Sequence, residues 1–284
     1  MNMTRIGVIG AGTMGNGIAQ VAAVAGLQTV LIDVSEAALE RAMATIDGSL
    51  SRLLAKGKLQ AAEREAALTR IAATHDYQRL DSVDLVIEAA TEQLELKHRV
   101  LAQIEAVARP QAIVASNTSS ISITALAARL REPARFIGMH FFNPAPLMPL
   151  VEVIRGVQTG EETCAAVVAL IERLGKTPIR VRNAPGFVVN RLLIPAINEA
   201  FFVLAEGTAS AEDIDAGMKL GANHPIGPLA LADLIGLDVC LSVMEVLHQD
   251  FGDPKYRPCP LLREWVQAGR LGRKSGQGVY RYDT

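Results

Sequence analysis

The stretch RIGVIGAGTMG, Arg5 to Gly15, constrains this chain more than any other. A short β-branched apolar run leads into GxGxxG, formed by Gly10, Gly12 and Gly15. A helical pattern follows from Thr13 to Ala25, with Gly26 placed to stop it. QTVLIDV, Gln28–Val34, then reads as a second buried strand that carries Asp33 near its end. Strand, glycine turn, helix, strand and acid in this order predict a βαβ unit that binds a dinucleotide. Gly10 permits the tight turn, Gly12 lets a pyrophosphate approach the backbone, and Gly15 lets helix and strand pack closely. Thr13 and Met14 open the helix, whose amide donors and dipole favour the phosphates. Asp33 lies 18 residues beyond Gly15, where a carboxylate can accept from both ribose hydroxyls. A 2′-phosphate would be repelled there and no Arg follows immediately, so NAD is expected over NADP, with FAD the competitor. The competing reading is a glycine-rich turn that holds no ligand.

The same region offers a false lead. No charged residue occurs from Ile6 to Ile32, a span long enough to cross a bilayer. It contains six glycines, however, and reads better as strand, turn and helix. No basic segment precedes the first strand, so a signal peptide is not expected. The formal net charge of −2 and an aromatic content of 4% argue against a nucleic-acid or anionic-membrane binder. The three cysteines, Cys164, Cys240 and Cys259, form no CxxC pair and suggest neither a disulfide framework nor zinc. A reducing, cytoplasmic setting is expected. The histidines show no HExxH spacing, so no metal is expected.

From Ser35 to about His75 the chain is rich in Ala, Leu and charge, with helical periodicity. That is too long for one crossover and predicts a helical hairpin projecting from the sheet, turning near Ala55–Leu59. Further strands are expected at VDLVIEA (Val83–Ala89), AIVASN (Ala112–Asn117) and RFIGMHFF (Arg135–Phe142), with a helix between each pair. LVEVIRG and TPIRVRN read as two more at the far edge. The alternation predicts an α/β fold, a doubly wound and mostly parallel sheet of Rossmann type. After NAPGFVVNR (Asn183–Arg191) helical patterns take over, at Gly186–Leu204, Ser210–Leu220, Pro228–Gln249 and Pro260–Ala268. Pro195 should kink the first of these. The boundary is placed near residue 184, giving a nucleotide-binding domain over 1–184 and an all-α domain over 185–284.

Ligands of open α/β sheets bind outside the carboxyl ends of the strands. Glu88, Thr91–Glu92, Ser116–Ser120 and His140–Pro144 all fall at such ends, although helix capping accounts for some of them. In GMHFFNPAPLMPLVEV, Gly138 to Val153, His140 and Glu152 interrupt an apolar run. A lone strand histidine is most simply a satisfied core residue, but a carboxylate flanked by valines needs a partner. Downstream of a dinucleotide fingerprint, a histidine suits alcohol oxidation as the base. A carboxylate behind it would fix the tautomer and stabilise the imidazolium. Asn190 is polar on an apolar helix and is satisfied equally well by a nearby loop. Lys56, Lys58 and Lys274 read by pattern alone as solvated surface residues.

The succession GAGTMGNGIAQ, SNTSS, GMHFFNPAPLMPLVEV, PGFVVNRLL, HPIGPLALADLIGLD and GRKSGQGVYRY resembles the short-chain L-3-hydroxyacyl-CoA dehydrogenase family over essentially the whole chain. The resemblance implies NAD-dependent interconversion of a short-chain (S)-3-hydroxyacyl-CoA, such as 3-hydroxybutyryl-CoA, with its 3-oxoacyl-CoA. By motif, His140 matches the catalytic histidine and Glu152 its partner. Ser119 matches the residue at the substrate's 3-oxygen near the nicotinamide, and Asn190 the asparagine that reaches the active site from the helical domain. Asp33 matches the adenosine-ribose ligand. Glu92, Lys97, Asn143 and Lys274 match cofactor-side positions. Ser49 and Lys56 match coenzyme A contacts, with Lys58 less supported, and the lysine cluster there is thinner than the family's. A homodimer through the C-terminal helices is implied, and no segment resembles a fused enoyl-CoA hydratase. Two rivals stand beside this reading. A dehydrogenase of a free hydroxy or sugar acid, of gulonate type, would need an Arg clamp, for which Arg191 is the candidate. A non-catalytic, crystallin-like NAD-binding protein would have lost a matched catalytic residue, and none is lost.

Overall fold

Strands that are apolar on both faces need cover on both sides, and this requirement sets the architecture. A computed structural model describes residues 3–282. The chain divides into two compact units at Ala184–Pro185. In the first, the elements run β1 (Arg5–Ile9), α1 (Thr13–Val24), β2 (Gln28–Ile32), α2 (Glu36–Ala55), α3 (Ala61–Thr69), β3 (Ile71–Thr74), β4 (Leu85–Glu88), α4 (Leu94–Val107), β5 (Ile113–Ser116), α5 (Ile123–Ala127), β6 (Phe136–Phe141), β7 (Leu150–Arg155), α6 (Glu161–Arg173) and β8 (Thr177–Arg182). Among the described residues the strands form one eight-stranded sheet in the order β3-β2-β1-β4-β5-β6-β7-β8. Every neighbouring pair is parallel except β6 and β7. This is the doubly wound Rossmann-type sheet read from the sequence, and the uncharged span Ile6–Ile32 is its first β-α-β turn.

Three local readings need correction. The helical pattern after Ser35 does not run on to His75, because Ile71–Thr74 is the edge strand β3, paired in parallel with β2. Four residues are too few to show a period, and the two alanines hide the strand. The helical hairpin of α2 and α3 does not project freely. Its apolar stripe, Leu39, Ala42, Ile46 and Leu50, is buried in the same core as Ile18 and Ala22 of α1. The hairpin turns at Gly57, whose φ of +65° lies in the left-handed region. The third correction lies in the second unit.

That unit contains α7 (Val189–Ala205), α8 (Ala211–Gly221), α9 (Pro228–Ile235), α10 (Leu237–Phe251) and α11 (Pro260–Gln267). The single helix expected over Pro228–Gln249 is broken between α9 and α10 at Gly236, which takes a φ of +108°. Pro195 sits inside α7, where it cannot donate to the preceding turn. Phe201, Leu229, Leu237, Met244 and Leu262 build the core. Two buried carboxylates tie the C-terminal residues into it. Asp215 accepts from the amides of Leu229 and Ala230 and from the Tyr280 hydroxyl. Asp233 accepts from the amides of Val279 and Tyr280 and from the Tyr282 hydroxyl. No helix among the described residues is long and apolar enough to cross a membrane.

Candidate active site

Parallel pairing brings the carboxyl ends of β2, β1, β4, β5 and β6 to one edge of the sheet. Ile32, Ile9, Glu88 and Ser116 stand in one row of the ladder, and β6 runs three residues beyond its pairing with β5. Three constellations gather at this edge.

The first is the glycine turn between β1 and α1. Gly10 has a φ of +100°, and a side chain on Gly15 would meet the Gly10 carbonyl oxygen at 1.7 Å. These two glycines are required by the fold itself. A Cβ on Gly12 would meet nothing within 4 Å, so no protein atom demands glycine there. The open space lies at the N-terminus of α1, which has no side-chain cap and no acidic residue in its first turn. Backbone donors and the helix dipole are therefore presented to an anion, as a pyrophosphate requires. Asp33 accepts from the Ala11 amide at 2.7 Å and from the Ser35 amide at 2.9 Å, which fixes its carboxylate against the loop. Each oxygen keeps a lone pair for a ribose hydroxyl. The residues present thus fit a dinucleotide with an unphosphorylated ribose.

The second constellation is a polar network at the ends of β4 and β5. Glu88 is fully buried and Lys97 is 1% exposed. The Lys97 ammonium donates to both Glu88 oxygens, at 2.8 and 3.0 Å, and to the Ala90 carbonyl. Glu88 also accepts from the Ser116 hydroxyl and the Ala90 amide. Glu92 lies 3.5 Å from the same ammonium and accepts from the hydroxyls of Thr118 and Ser119 and from the Ser119 amide. Lys97, expected among the cofactor-side residues, has its ammonium engaged by Glu88 and Ala90, with Glu92 beside it. Ser119 is held by Glu92 in turn.

The third is the His140–Glu152 pair. β6 and β7 are antiparallel, with His140 directly opposite Glu152. The imidazole Nδ1 stands 2.7 Å from Glu152 Oε2, with His140 6% and Glu152 0% exposed. A carboxylate only accepts, so Nδ1 donates, and in the neutral ring that tautomer puts the lone pair on Nε2. Phe142 packs against the ring, centroid to centroid 4.5 Å. Where β5 has ended, the Asn117 side-chain oxygen accepts from the Phe141 amide at 2.9 Å and extends the ladder beside His140. Asn117 had received no individual role from the sequence, although its place just past a strand end was the available signal.

The remaining candidates belong to other elements. Asn143 is exposed in the turn after β6. Ser49 lies half-buried within α2, Lys56 is the exposed C-cap of α2, and Lys58 is exposed two residues on. Asn190 is the second residue of α7. Lys274 donates to Asp238 at 2.7 Å, so its charge is already matched within the helical unit. The Arg191 guanidinium stacks 4.2 Å over the Phe251 ring.

Comparison with known proteins gives the family. Residues 5–184 match the sequence model of the 3-hydroxyacyl-CoA dehydrogenase NAD-binding domain, and residues 186–282 that of the C-terminal domain. A probable 3-hydroxybutyryl-CoA dehydrogenase of Deinococcus radiodurans is 55% identical, covering 98% of this chain and 100% of its own. The 3-hydroxybutyryl-CoA dehydrogenase of Bradyrhizobium diazoefficiens is 54% identical, covering 98% and 95%. The crystal structure of (S)-3-hydroxybutyryl-CoA dehydrogenase from Ralstonia eutropha superposes with a TM-score of 0.97 at 59% identity, covering 100% of both chains.

The buried ion pair generates a stability prediction. Lys97→Met leaves the Glu88 charge buried without its partner, and such a loss costs about 3–5 kcal/mol. The melting temperature should fall by roughly 10 °C. Adding Glu88→Leu should recover most of that loss, as read by thermal unfolding of the two variants beside the parent. A double variant no more stable than Lys97→Met would contradict the pairing.

Proposed function

Because the chain belongs to the 3-hydroxyacyl-CoA dehydrogenase family, we propose that it interconverts short-chain (S)-3-hydroxyacyl-CoA and 3-oxoacyl-CoA, with 3-hydroxybutyryl-CoA as the representative substrate, using NAD. The observation that carries this reading is the His140–Glu152 hydrogen bond at the same sheet edge as the glycine loop. Bound NAD would supply the hydride acceptor for the substrate's C3, or the hydride donor in the reverse direction. His140 receives the hydroxyl proton at Nε2 and gives it back to the developing alkoxide in the reverse direction. Glu152 holds the ring by Nδ1 and stabilises the imidazolium formed at that moment. Gly10 to Gly15, with Thr13 and Met14, and Asp33 hold the two ends of the cofactor's pyrophosphate–ribose segment. Ser119 and Asn190 orient the 3-oxygen, and positioning of this kind is worth several kcal/mol of barrier. For Ser119 to donate to a ketone oxygen, its proton must swing away from Glu92. Glu92, Asn143 and Lys274 serve the cofactor side, and Ser49 and Lys56 the coenzyme A tail. A carboxylate clamp by Arg191, needed by an enzyme of free hydroxy acids, is not favoured, since that guanidinium is stacked on Phe251.

Association into a homodimer through the helical unit is part of this reading. Leu192, Leu220 and Leu234 are 71%, 87% and 54% exposed there. They accompany an apolar groove of about 510 Å³ lined by Leu193, Ile197, Val203, Ile214 and Met218. Exposed apolar area on the helical unit supports the dimer reading. Sedimentation equilibrium should give twice the chain mass, and Leu220→Glu should shift it toward the monomer; a monomeric parent would contradict the dimer. A cytoplasmic role in fatty-acid metabolism, or in another route that handles short acyl thioesters, fits three free and buried cysteines.

The activity test is purified protein with acetoacetyl-CoA and NADH, followed by absorbance. The parent should oxidise NADH, and it should act on the coenzyme A thioester of 3-hydroxybutyrate in preference to the free acid. His140→Ala should lower kcat by about 10²–10⁴-fold. Glu152→Gln should lower kcat far more than it changes KM, because the lost interaction strengthens in the transition state. No NADH oxidation by the parent would overturn the function, and full activity in His140→Ala would overturn the mechanism.

A further inference from the structure

A second pair of side chains lies beside Asp33, and the proposed reaction leaves it unused. β3 ends with Thr74 paired to Ile32, so His75 comes to lie next to Asp33 just past the sheet edge. His75 Nδ1 stands 3.2 Å from the Asp33 carbonyl oxygen, and Nε2 stands 2.5 Å from a carboxylate oxygen of Glu36. Both ring nitrogens thus face acceptors, an arrangement that suits an imidazolium. The Asp33 carbonyl first, and then the Glu36 carboxylate, hold its pKa above the ordinary histidine value. The two side chains are 50% and 69% exposed, so the core does not dictate this contact. Val34 follows Asp33 and is 88% exposed, an apolar face beside the acid where an adenosine would lie.

The chemistry of this corner is that of a choice between ribose and ribose 2′-phosphate. A 2′-phosphate brings a largely dianionic group to the place where Asp33 stands. A cation at that edge would offset the repulsion, and His75 when protonated is such a cation. Its second nitrogen is turned onto Glu36, the first residue of α2, which cancels its charge and adds a second carboxylate. Asp33 alone would disfavour the phosphate; with His75 engaged, the compensating charge is removed as well.

We propose that Glu36 and His75 form a specificity device, in which Glu36 sequesters the imidazolium so that the site selects NAD over NADP. This rests on the reading that the glycine loop and Asp33 hold NAD. The test measures the Kd of NADH and NADPH by fluorescence titration of the full chain at about pH 6, near the histidine range. Glu36→Gln releases a ring whose charged form the Asp33 carbonyl still favours, and the ratio of NADPH to NADH dissociation constants should fall by about tenfold while NADH binding itself stays close to the parent's. Adding His75→Gln should abolish that gain. Retained NADH binding reports that each variant is folded. An unchanged ratio in Glu36→Gln, or a gain that survives in the double variant, would overturn the proposal while leaving NAD binding intact. A parent that binds neither nucleotide would overturn the NAD reading and this inference with it.

Discussion

The candidate site depends on one reversal of strand direction. Up to β6 the sheet is parallel, and its carboxyl ends all point toward one edge. A parallel neighbour of β6 would have carried its own carboxyl end there too. Instead the chain turns after Phe141 and returns antiparallel, so Glu152 faces His140 across the ladder from the middle of β7. Opposed residues on one face of such a pair lie close enough for side chains to meet. A slip of one residue in the register would move Glu152 to the other face and leave a carboxylate buried without a partner. The geometry of the candidate site and the folding register thus have the same determinant, and burial of Glu152 makes the pairing compulsory.

Charge is handled throughout the sheet edge by the same device. Glu88, Glu92 and Asp33 at strand ends and loops, and Glu152 within β7, are four carboxylates, and each is given donors. Lys97 and Ser116 serve Glu88, two backbone amides serve Asp33, and an imidazole serves Glu152. Glu92 differs. Its side chain is 38% exposed and its donors sit on the loop after β5. A loop tied by a half-exposed carboxylate can exchange partners when a ligand arrives, whereas the buried pair beneath it cannot. This places rigidity under the site and adaptability at its surface.

Much of this was legible before any coordinates existed, for reasons tied to particular residues. Gly10 and Gly15 are dictated by backbone geometry, and the alternation of apolar runs with helical periods leaves few folds but a doubly wound sheet. Glu152 was visible because a carboxylate between valines has to be explained. What stayed hidden was set by tertiary contact. The edge strand Ile71–Thr74 carries two alanines and no alternation, so only pairing with β2 makes it a strand. Gly236 inside a helical pattern did not announce a positive φ. Lys97 looked available for a ligand because its burial against Glu88 joins a strand end to a helix nine residues later. The pairing of His75 with Glu36 joins a strand end to the start of a distant helix and has no local signal at all.

The most direct measurement is of the His140 ring itself. Long-range ¹H–¹⁵N NMR on uniformly labelled protein, with His140→Gln to assign the signal, reports which ring nitrogen carries the proton. The hydrogen bond to Glu152 predicts a protonated Nδ1, seen as a strongly downfield proton, and an unprotonated Nε2 ready to act as base. A resting tautomer with the proton on Nε2, or an Nδ1 signal indifferent to Glu152→Gln, would contradict the pairing on which the rest is built.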